Sequence, residues 1–258
     1  MINGWVALVV FVVIGCIVRF STREQPGRLQ HALELALEGI LSFFDRVTGD
    51  RAKSRKFLPI AGTFFFFILF SNWFGLLPGT GSIGRFELVH GEVELVPILR
   101  PANSDLNLTL AMALISVIGS HLMGIVSLGF FTHANKYIQL GGMWKALRTL
   151  NPVKILTACV EFIVGLIEIF SEVAKVASLS LRLFGNIFAG EVLMTVISSL
   201  IAFFVPLPFM GMELLVGVVQ AAVFSMLTVV YLTLATSAPH GAHDEDHGGS
   251  EHEHPAHA

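Results

Sequence analysis

Long apolar stretches, separated by segments with charged residues, dominate the chain. A helix needs about 20 mostly apolar residues to cross the hydrocarbon core of a bilayer. On this criterion, five stretches are predicted to span a membrane: 2–18, 57–77, 106–131 (interrupted by His121), 155–204 and 209–235. The pattern predicts an all-α polytopic membrane protein, in which residues 1–236 form a single membrane domain.

The stretch 155–204 is too long for a simple span. As a straight helix at 1.5 Å per residue it would measure about 75 Å, against a hydrocarbon core of about 30 Å. It either breaks near Gly185 and Asn186 or lies strongly tilted. Because no cluster of turn residues or charges marks a second loop before Pro206, the tilt is favoured. With the last span it would form a long membrane-embedded helical hairpin.

Two connections have patterns of their own. Over 28–47, apolar residues recur at helical spacing opposite His31, Glu34 and Glu38, which predicts an amphipathic helix on the membrane surface. The connection 79–104 is rich in Gly and Pro and contains three Glu residues, so a solvated loop is expected there rather than a site.

Composition excludes an ordinary soluble enzyme. Hydrophobic residues make up 54% of the 258 residues and charged residues 14%, whereas a soluble domain has about 25% charged residues. The formal net charge of −3 gives no electrostatic basis for binding nucleic acid. Cys16 and Cys159 lie in apolar runs without metal or redox spacing. The cysteines therefore indicate no metal site, and we expect neither catalytic residues nor a cofactor in this chain.

The basic residues predict an orientation. Of the 16 Lys and Arg residues, eight lie between Arg19 and Lys56 and four between Lys136 and Lys154. Positive residues favour the cytoplasmic side, so both of these connections are expected there. The bases follow the span 2–18 instead of preceding it, which indicates a retained anchor with its N-terminus outside. Five crossings would then place the C-terminus in the cytoplasm.

A group of ionisable residues lies where lipid should exclude charge. An ionised side chain at the centre of the bilayer costs about 2.5–3.5 kcal/mol on insertion scales. The last two spans nevertheless contain Glu161, Glu168, Glu172, Lys175, Arg182, Glu191 and Glu213. These residues indicate an ion path or a partner surface.

Helical geometry sorts these residues into faces. At about 100° per residue, one face of the helix is shared by five charged residues: Glu161, Glu168, Glu172, Lys175 and Arg182. Asn186 continues this face, while Glu191 points to the opposite side. On the last span, Glu213 and Gln220 share a face, and a turn at Pro206 could fold that face toward Glu191.

Arg182 is the strongest candidate. Its guanidinium stays protonated, and its nearest acid on the same face, Glu172, is ten residues or about 15 Å away along the helix. A carboxylate from another subunit is therefore the expected partner. For Glu168, Glu172 and Lys175, local pairing at spacings of four and three is an equal alternative. Likewise, Asn186 and Gln220 could simply satisfy hydrogen bonds between helices.

At this point the residues resemble a known family. The stretch SLSLRLFGNIFAGE (178–191) is similar to the signature of subunit a of the F-type ATP synthase, the stator half of its membrane proton channel. The similarity extends to SNWFGLLP (71–78), PANSDLNLT (101–109), QAAVFSMLT (220–228) and Tyr231, in the family's order.

The resemblance implies roles by position. Arg182 matches the essential arginine that faces the ring of c subunits, and Asn186, Glu191 and Gln220 match polar positions beside it. Glu213 matches a position where other members have His or Gly. Secondary candidates for proton translocation are Glu168, Glu172, Lys175 and Ser178.

The resemblance also implies a mechanism and partners. Two offset half-channels against the c-ring would couple proton flow to ATP synthesis in a non-catalytic subunit of a bacterial inner or plasma membrane. The expected partners are the c-subunit ring, the b subunits, the remaining ATP synthase subunits and lipid, with H⁺ favoured over Na⁺.

The alternative is a stand-alone secondary transporter of ions or solutes. In that case Glu168, Glu172, Lys175 and Arg182 would form a substrate site. The absence from the sequence of an internal repeat or of paired broken helices disfavours it.

The segment 237–258 differs from the rest of the chain. It contains six of the ten His residues and five acidic residues. This low-complexity polar composition predicts disorder, with weak proton or transition-metal buffering as the alternative.

Overall fold

The fold is a bundle of long helices. The computed structural model describes residues 2–21, 28–77, 84–89, 92–97, 101–130, 152–200 and 204–237. Its helices are α1 (Ile2–Ser21), α2 (Arg28–Thr48), α3 (Arg51–Gly75), α4 (Leu106–Leu128), α5 (Pro152–Leu200) and α6 (Pro206–Thr236), with a 3₁₀ turn at Ala102–Ser104. The predicted class, an all-α polytopic membrane protein, is confirmed. The segment 238–258, predicted to be disordered, lies outside the described residues.

Among the described residues, four helical segments are long and apolar enough to cross a membrane. They are α3, α4, the Ile163–Leu200 part of α5, and α6. In α1 the apolar helical stretch is Gly4–Val13, which is shorter than these four segments. That the predicted span 2–18 crosses the membrane therefore stays a prediction.

The helix ends have local causes. Asp50 and Asp105 precede α3 and α4, and each side chain accepts a hydrogen bond from the backbone N–H two residues on. α4 ends before Gly129, whose φ of 85° favours glycine. The helix thus stops three residues short of the predicted span 106–131.

Part of the connection predicted to be a loop is a β-hairpin. Strands β1 (Gly84–Val89) and β2 (Glu92–Pro97) pair antiparallel, with Phe86 opposite Leu95 and Leu88 opposite Val93. The loop prediction is wrong over these residues. Polar and apolar residues alternate over 85–88 and 92–95, and His90-Gly91 separates the strands in sequence, which together are the pattern of a short hairpin.

Helix α5 is continuous over 49 residues. It passes through Gly185 and Asn186 without interruption, so the alternative of a break at these residues is wrong. Its tilt relative to the membrane stays a prediction.

The main core lies between α3, α4, α5 and α6. Phe64 and Ile68 of α3 pack with Met112 of α4, Leu183 of α5 and Phe224 of α6. Polar contacts also cross the bundle, since the Ser116 and Thr228 hydroxyls are 2.8 Å apart.

Helix α5 contributes only a narrow strip to this core. Leu179, Leu183 and Ile187, four residues apart, are buried, whereas Phe170 is 74% exposed and Leu166 60% exposed. In the most apolar stretch of α5, 11% of the residues are buried, whereas 39% are buried in the corresponding stretches of α3, α4 and α6. Most of the apolar surface of α5 therefore has no contact within the described chain.

Two of the sequence blocks that resemble the family meet in space. The Asn103 amide donates to Asn72 Oδ1 at 2.6 Å, and the Asn72 amide donates to the Gly217 carbonyl at 3.4 Å. A Cβ added at Gly75 would lie 2.7 Å from Pro101 Cγ, so glycine is needed for this close approach. These contacts fix the end of α3 against the 3₁₀ turn and α6.

Helix α2 packs along the N-terminal end of α3. Phe44 is fully buried against a cluster that includes Phe57 and Leu232, while Leu35 is 75% exposed. Arg51 pairs with Asp45 at 2.6 Å and with Glu38 at 3.1 Å. The helix predicted to be amphipathic is thus anchored through one face to α3 and α6.

Candidate functional site

Arg182 lies on the exposed side of α5. Its Nη2 donates to the Ser178 hydroxyl at 3.4 Å, one helical turn away. Within the part of the chain that the structure describes, its guanidinium forms no ion pair with a carboxylate. That its anionic partner belongs to another subunit stays a prediction.

Asn186 and Gln220 form a polar link between α5 and α6. Asn186 Nδ2 donates to Gln220 Oε1 at 2.8 Å, and Gln220 is only 4% exposed. Asn186 is one turn beyond Arg182, so the link lies beside the guanidinium. The hydrogen bond between helices that the sequence left open is present, and a role in translocation stays a prediction.

The structure brings Glu213 to the neighbourhood of Glu191. Both side chains are partly buried and lie within electrostatic reach of each other. The Glu213 carboxylate packs against Gly190, where an added Cβ would overlap it. The start of α6 therefore folds back toward Glu191, and the two acids form one cluster.

A second cluster joins α4, α5 and α6. Glu172 Oε1 accepts from Lys175 Nζ at 2.7 Å, and Glu172 Oε2 is 3.4 Å from His121 Nε2. Lys175 Nζ lies 5.4 Å from the centroid of the Tyr231 ring, within the range of a cation–π contact. The local pairing of Glu172 with Lys175 is thus observed. Glu168 lines the same cavity of about 200 Å³.

Sequence reasoning did not assign His121 to the site. Its signal was a histidine inside the otherwise apolar span 106–131. A span alone does not reveal which neighbour such a residue meets. Glu161, another acid of the long span, has a side chain outside what the structure describes.

The two clusters lie on opposite sides of Arg182 along α5. Lys175 precedes Arg182 by seven residues, or about 10 Å, and Glu191 follows it by nine residues, or about 13 Å. An exposed cation thus separates an acidic cluster from a mixed cluster of acids and bases. Such an arrangement can keep two ion-accessible regions apart by electrostatic repulsion.

Residues 1–233 match the family model described as ATP synthase A chain. The chain belongs to this family. It is 33% identical to the ATP synthase subunit a of Campylobacter curvus over 232 residues, which cover 88% of the chain and 87% of that relative. It is 31% identical to the subunit a of Gloeobacter violaceus over 249 residues, which cover 96% and 85% of the two chains.

Membership of the ATP synthase A chain family confirms the resemblance found in the sequence. The chain is a membrane-sector subunit of an F-type ATP synthase and participates in proton transport and ATP synthesis. This assignment disfavours the alternative of a stand-alone secondary transporter.

Proposed function

We propose that the chain is the stator subunit that forms two offset proton half-channels against a rotating ring of c subunits, and that it performs no catalysis itself. The observation that carries the proposal is the position of Arg182. It is an exposed cation on a sparsely covered membrane helix, between two polar clusters and without an ion pair to a described carboxylate.

The first half-channel receives protons from outside. Glu191 and Glu213 form its acidic cluster, and Asn186 with Gln220 provides polar atoms between that cluster and Arg182. Protons that pass these groups neutralise a carboxylate on the ring. The neutral carboxylate can then move into lipid, where its charged form would cost several kcal/mol.

Arg182 separates the two half-channels. After nearly a full turn of the ring, the carboxylate releases its proton to the cytoplasmic side and returns to the guanidinium as an anion. The fixed positive charge pairs with this anion and repels an excess proton, so protons cannot pass directly between the half-channels. The Ser178 hydroxyl, which accepts a hydrogen bond from Arg182, helps to position it.

The second half-channel opens to the cytoplasm. Glu168, Glu172 and Lys175 lie on this side of Arg182. The membrane potential contributes about 2.3 kcal/mol per charge per 100 mV. Because the half-channels are offset around the ring, this free energy drives rotation in one direction, which the remaining subunits use to make ATP.

The charge distribution supports an orientation. The basic connections favour a topology with the N-terminus outside and the C-terminus in the cytoplasm, and we propose a bacterial membrane as the location. The b subunits complete the stator, and the transported ion is H⁺ rather than Na⁺.

The exposed face of α5 is the proposed surface for the ring. To test this, Leu181, which is 55% exposed, is replaced by cysteine in a chain whose Cys16 and Cys159 are serine. We expect cross-linking to cysteines introduced on the outer helices of the ring. The control is Ile115→Cys on α4, a similarly exposed position at 59%. Cross-linking from residue 115 but not from residue 181 would contradict the proposed surface.

Gly190 should be required for the position of Glu213. In Gly190→Ala, the new Cβ would displace the Glu213 carboxylate, whereas the helix itself would gain up to about 1 kcal/mol. We expect normal amounts of assembled complex but proton flow lowered severalfold through membranes stripped of the soluble subunits. Gly119→Ala is the control, because its Cβ would meet no atom within 4 Å. Equal flow in both variants would contradict a role for this contact.

A further inference from the structure

The cavity on the cytoplasmic side of Arg182 contains a histidine that the proposed function does not use. We propose that His121 is the residue that exchanges protons between the second half-channel and the cytoplasm, with Glu172 and Lys175 as the groups that position and balance it. The proposal rests on the proposed function, since it names the proton-exchanging group of that half-channel.

The contacts place His121 against a held carboxylate. One oxygen of Glu172 accepts from Lys175 at 2.7 Å, and the other lies 3.4 Å from His121 Nε2. The carboxylate is therefore fixed from one side and presents its second oxygen to the imidazole. A proton on Nε2 would form a charge-assisted hydrogen bond with that oxygen.

The cavity brings ionisable groups from two helices next to His121. The described titratable groups that face His121 are Glu168, Glu172 and Lys175 from α5 and Tyr231 from α6. An imidazolium at this position would form an ion pair with the Glu172 carboxylate, which lowers the cost of holding a charge where water is limited. Histidine is the side chain whose charge ordinarily changes between pH 5 and 8.

The position also suits exchange with both sides. The cavity has a volume of about 200 Å³, enough for several water molecules, and the His121 side chain is 28% exposed. Toward the cytoplasm, Leu234 and Ala235 line it next to the end of α6 at Thr236. Toward the centre of the membrane, Tyr231 lies within electrostatic reach of both Glu172 and Arg182.

The step is a simple proton transfer. The O–H bond of a protonated ring carboxyl breaks as that group approaches Arg182, and the proton passes through water in the cavity to the neutral imidazole, where an N–H bond forms. The imidazolium then loses the proton to water on the cytoplasmic side. During synthesis the site is thus loaded from the ring and emptied into the cytoplasm, with no other reactant.

The test uses inverted membrane vesicles that contain the assembled complex, so that the bathing buffer sets the pH on the cytoplasmic side. The soluble subunits are then removed from these vesicles. A potassium diffusion potential drives protons through the remaining membrane sector at bath pH values from 5 to 8. For His121→Gln we expect proton flow at least severalfold lower, with a weaker dependence on pH than we expect for the wild type. In His121→Ala, added imidazole should restore much of the flow.

Two further variants make the result specific. Leu122→Ala, at an exposed neighbouring position of α4, should behave as wild type. Glu172→Gln should retain a pH dependence, since the imidazole is still present, but should lower the flow because the imidazolium loses its carboxylate partner. These readouts would not change if His121 only filled space.

The outcomes separate this inference from the proposed function. Unchanged flow in His121→Gln, or flow lowered equally at every pH without rescue by imidazole, would overturn the role of His121. Arg182→Ala, measured in the same vesicles before removal of the soluble subunits, reports on the proposed function alone. Loss of ATP synthesis in Arg182→Ala together with normal behaviour of His121→Gln would reject only the present inference.

Discussion

Replacement of Arg182 by alanine is expected to abolish ATP synthesis in membrane vesicles. Without the guanidinium, an empty ring carboxylate would lose its only proposed partner at the interface and would have to enter lipid charged. That step costs about 2.5–3.5 kcal/mol, which corresponds to a loss of about 100-fold in rate. The measurement is ATP synthesis driven by an imposed proton gradient, normalised to the amount of assembled complex.

Two controls accompany this variant. Arg46→Ala removes an exposed cation near the end of α2, outside the proposed path, and should leave synthesis intact. Arg182→Lys retains a positive charge but loses the planar fork that binds a carboxylate through two hydrogen bonds, so it should remain strongly impaired. Undiminished synthesis in Arg182→Ala would remove the foundation of the proposed function.

The second large effect is expected from the acidic pair. Glu191→Gln and Glu213→Gln should each lower proton flow through the stripped membrane sector at least about tenfold, since each removes a group that can accept and return a proton. Because the two acids lie within electrostatic reach of each other, their effects should not be independent. The double variant should lose much less than the product of the single losses.

The measurement is a double-mutant cycle on initial rates of proton flow. Glu34→Gln, on the exposed surface of α2, is the matched control for loss of a carboxylate. Losses that multiply would indicate that Glu191 and Glu213 act in separate steps. Wild-type flow in either single variant would exclude that residue from the path.

The sequence predicted most of the helices because each span is an uninterrupted apolar run. It left the continuity of α5 open, because Gly185 and Asn186 weaken a helix locally by only about 1 kcal/mol, and packing of the neighbouring Leu183 and Ile187 offsets such a cost. The strands Gly84–Val89 and Glu92–Pro97 were not predicted, because the Gly and Pro residues of that connection favour a loop. The alternation within each strand was the better guide.

The site was predicted less completely than the fold. Periodicity places Arg182 and Glu172 on one face, but it cannot measure a distance between helices. The approach of Glu213 to Gly190 depends on how closely α5 and α6 pack. His121 meets Glu172 across 51 positions of sequence, and the periodicity of each segment does not reveal that contact.

The narrow buried strip of α5 bears on the lifetime of the protein. A helix whose buried apolar strip, in the part that the structure describes, consists of Leu179, Leu183 and Ile187 leaves its own bundle incomplete, with a cation facing lipid until the ring arrives. On the proposed interface, assembly therefore finishes the folding of this subunit. Copies made in excess of the ring would be natural substrates for membrane proteases, so the cell would have a physical means of matching the number of stators to the number of rotors.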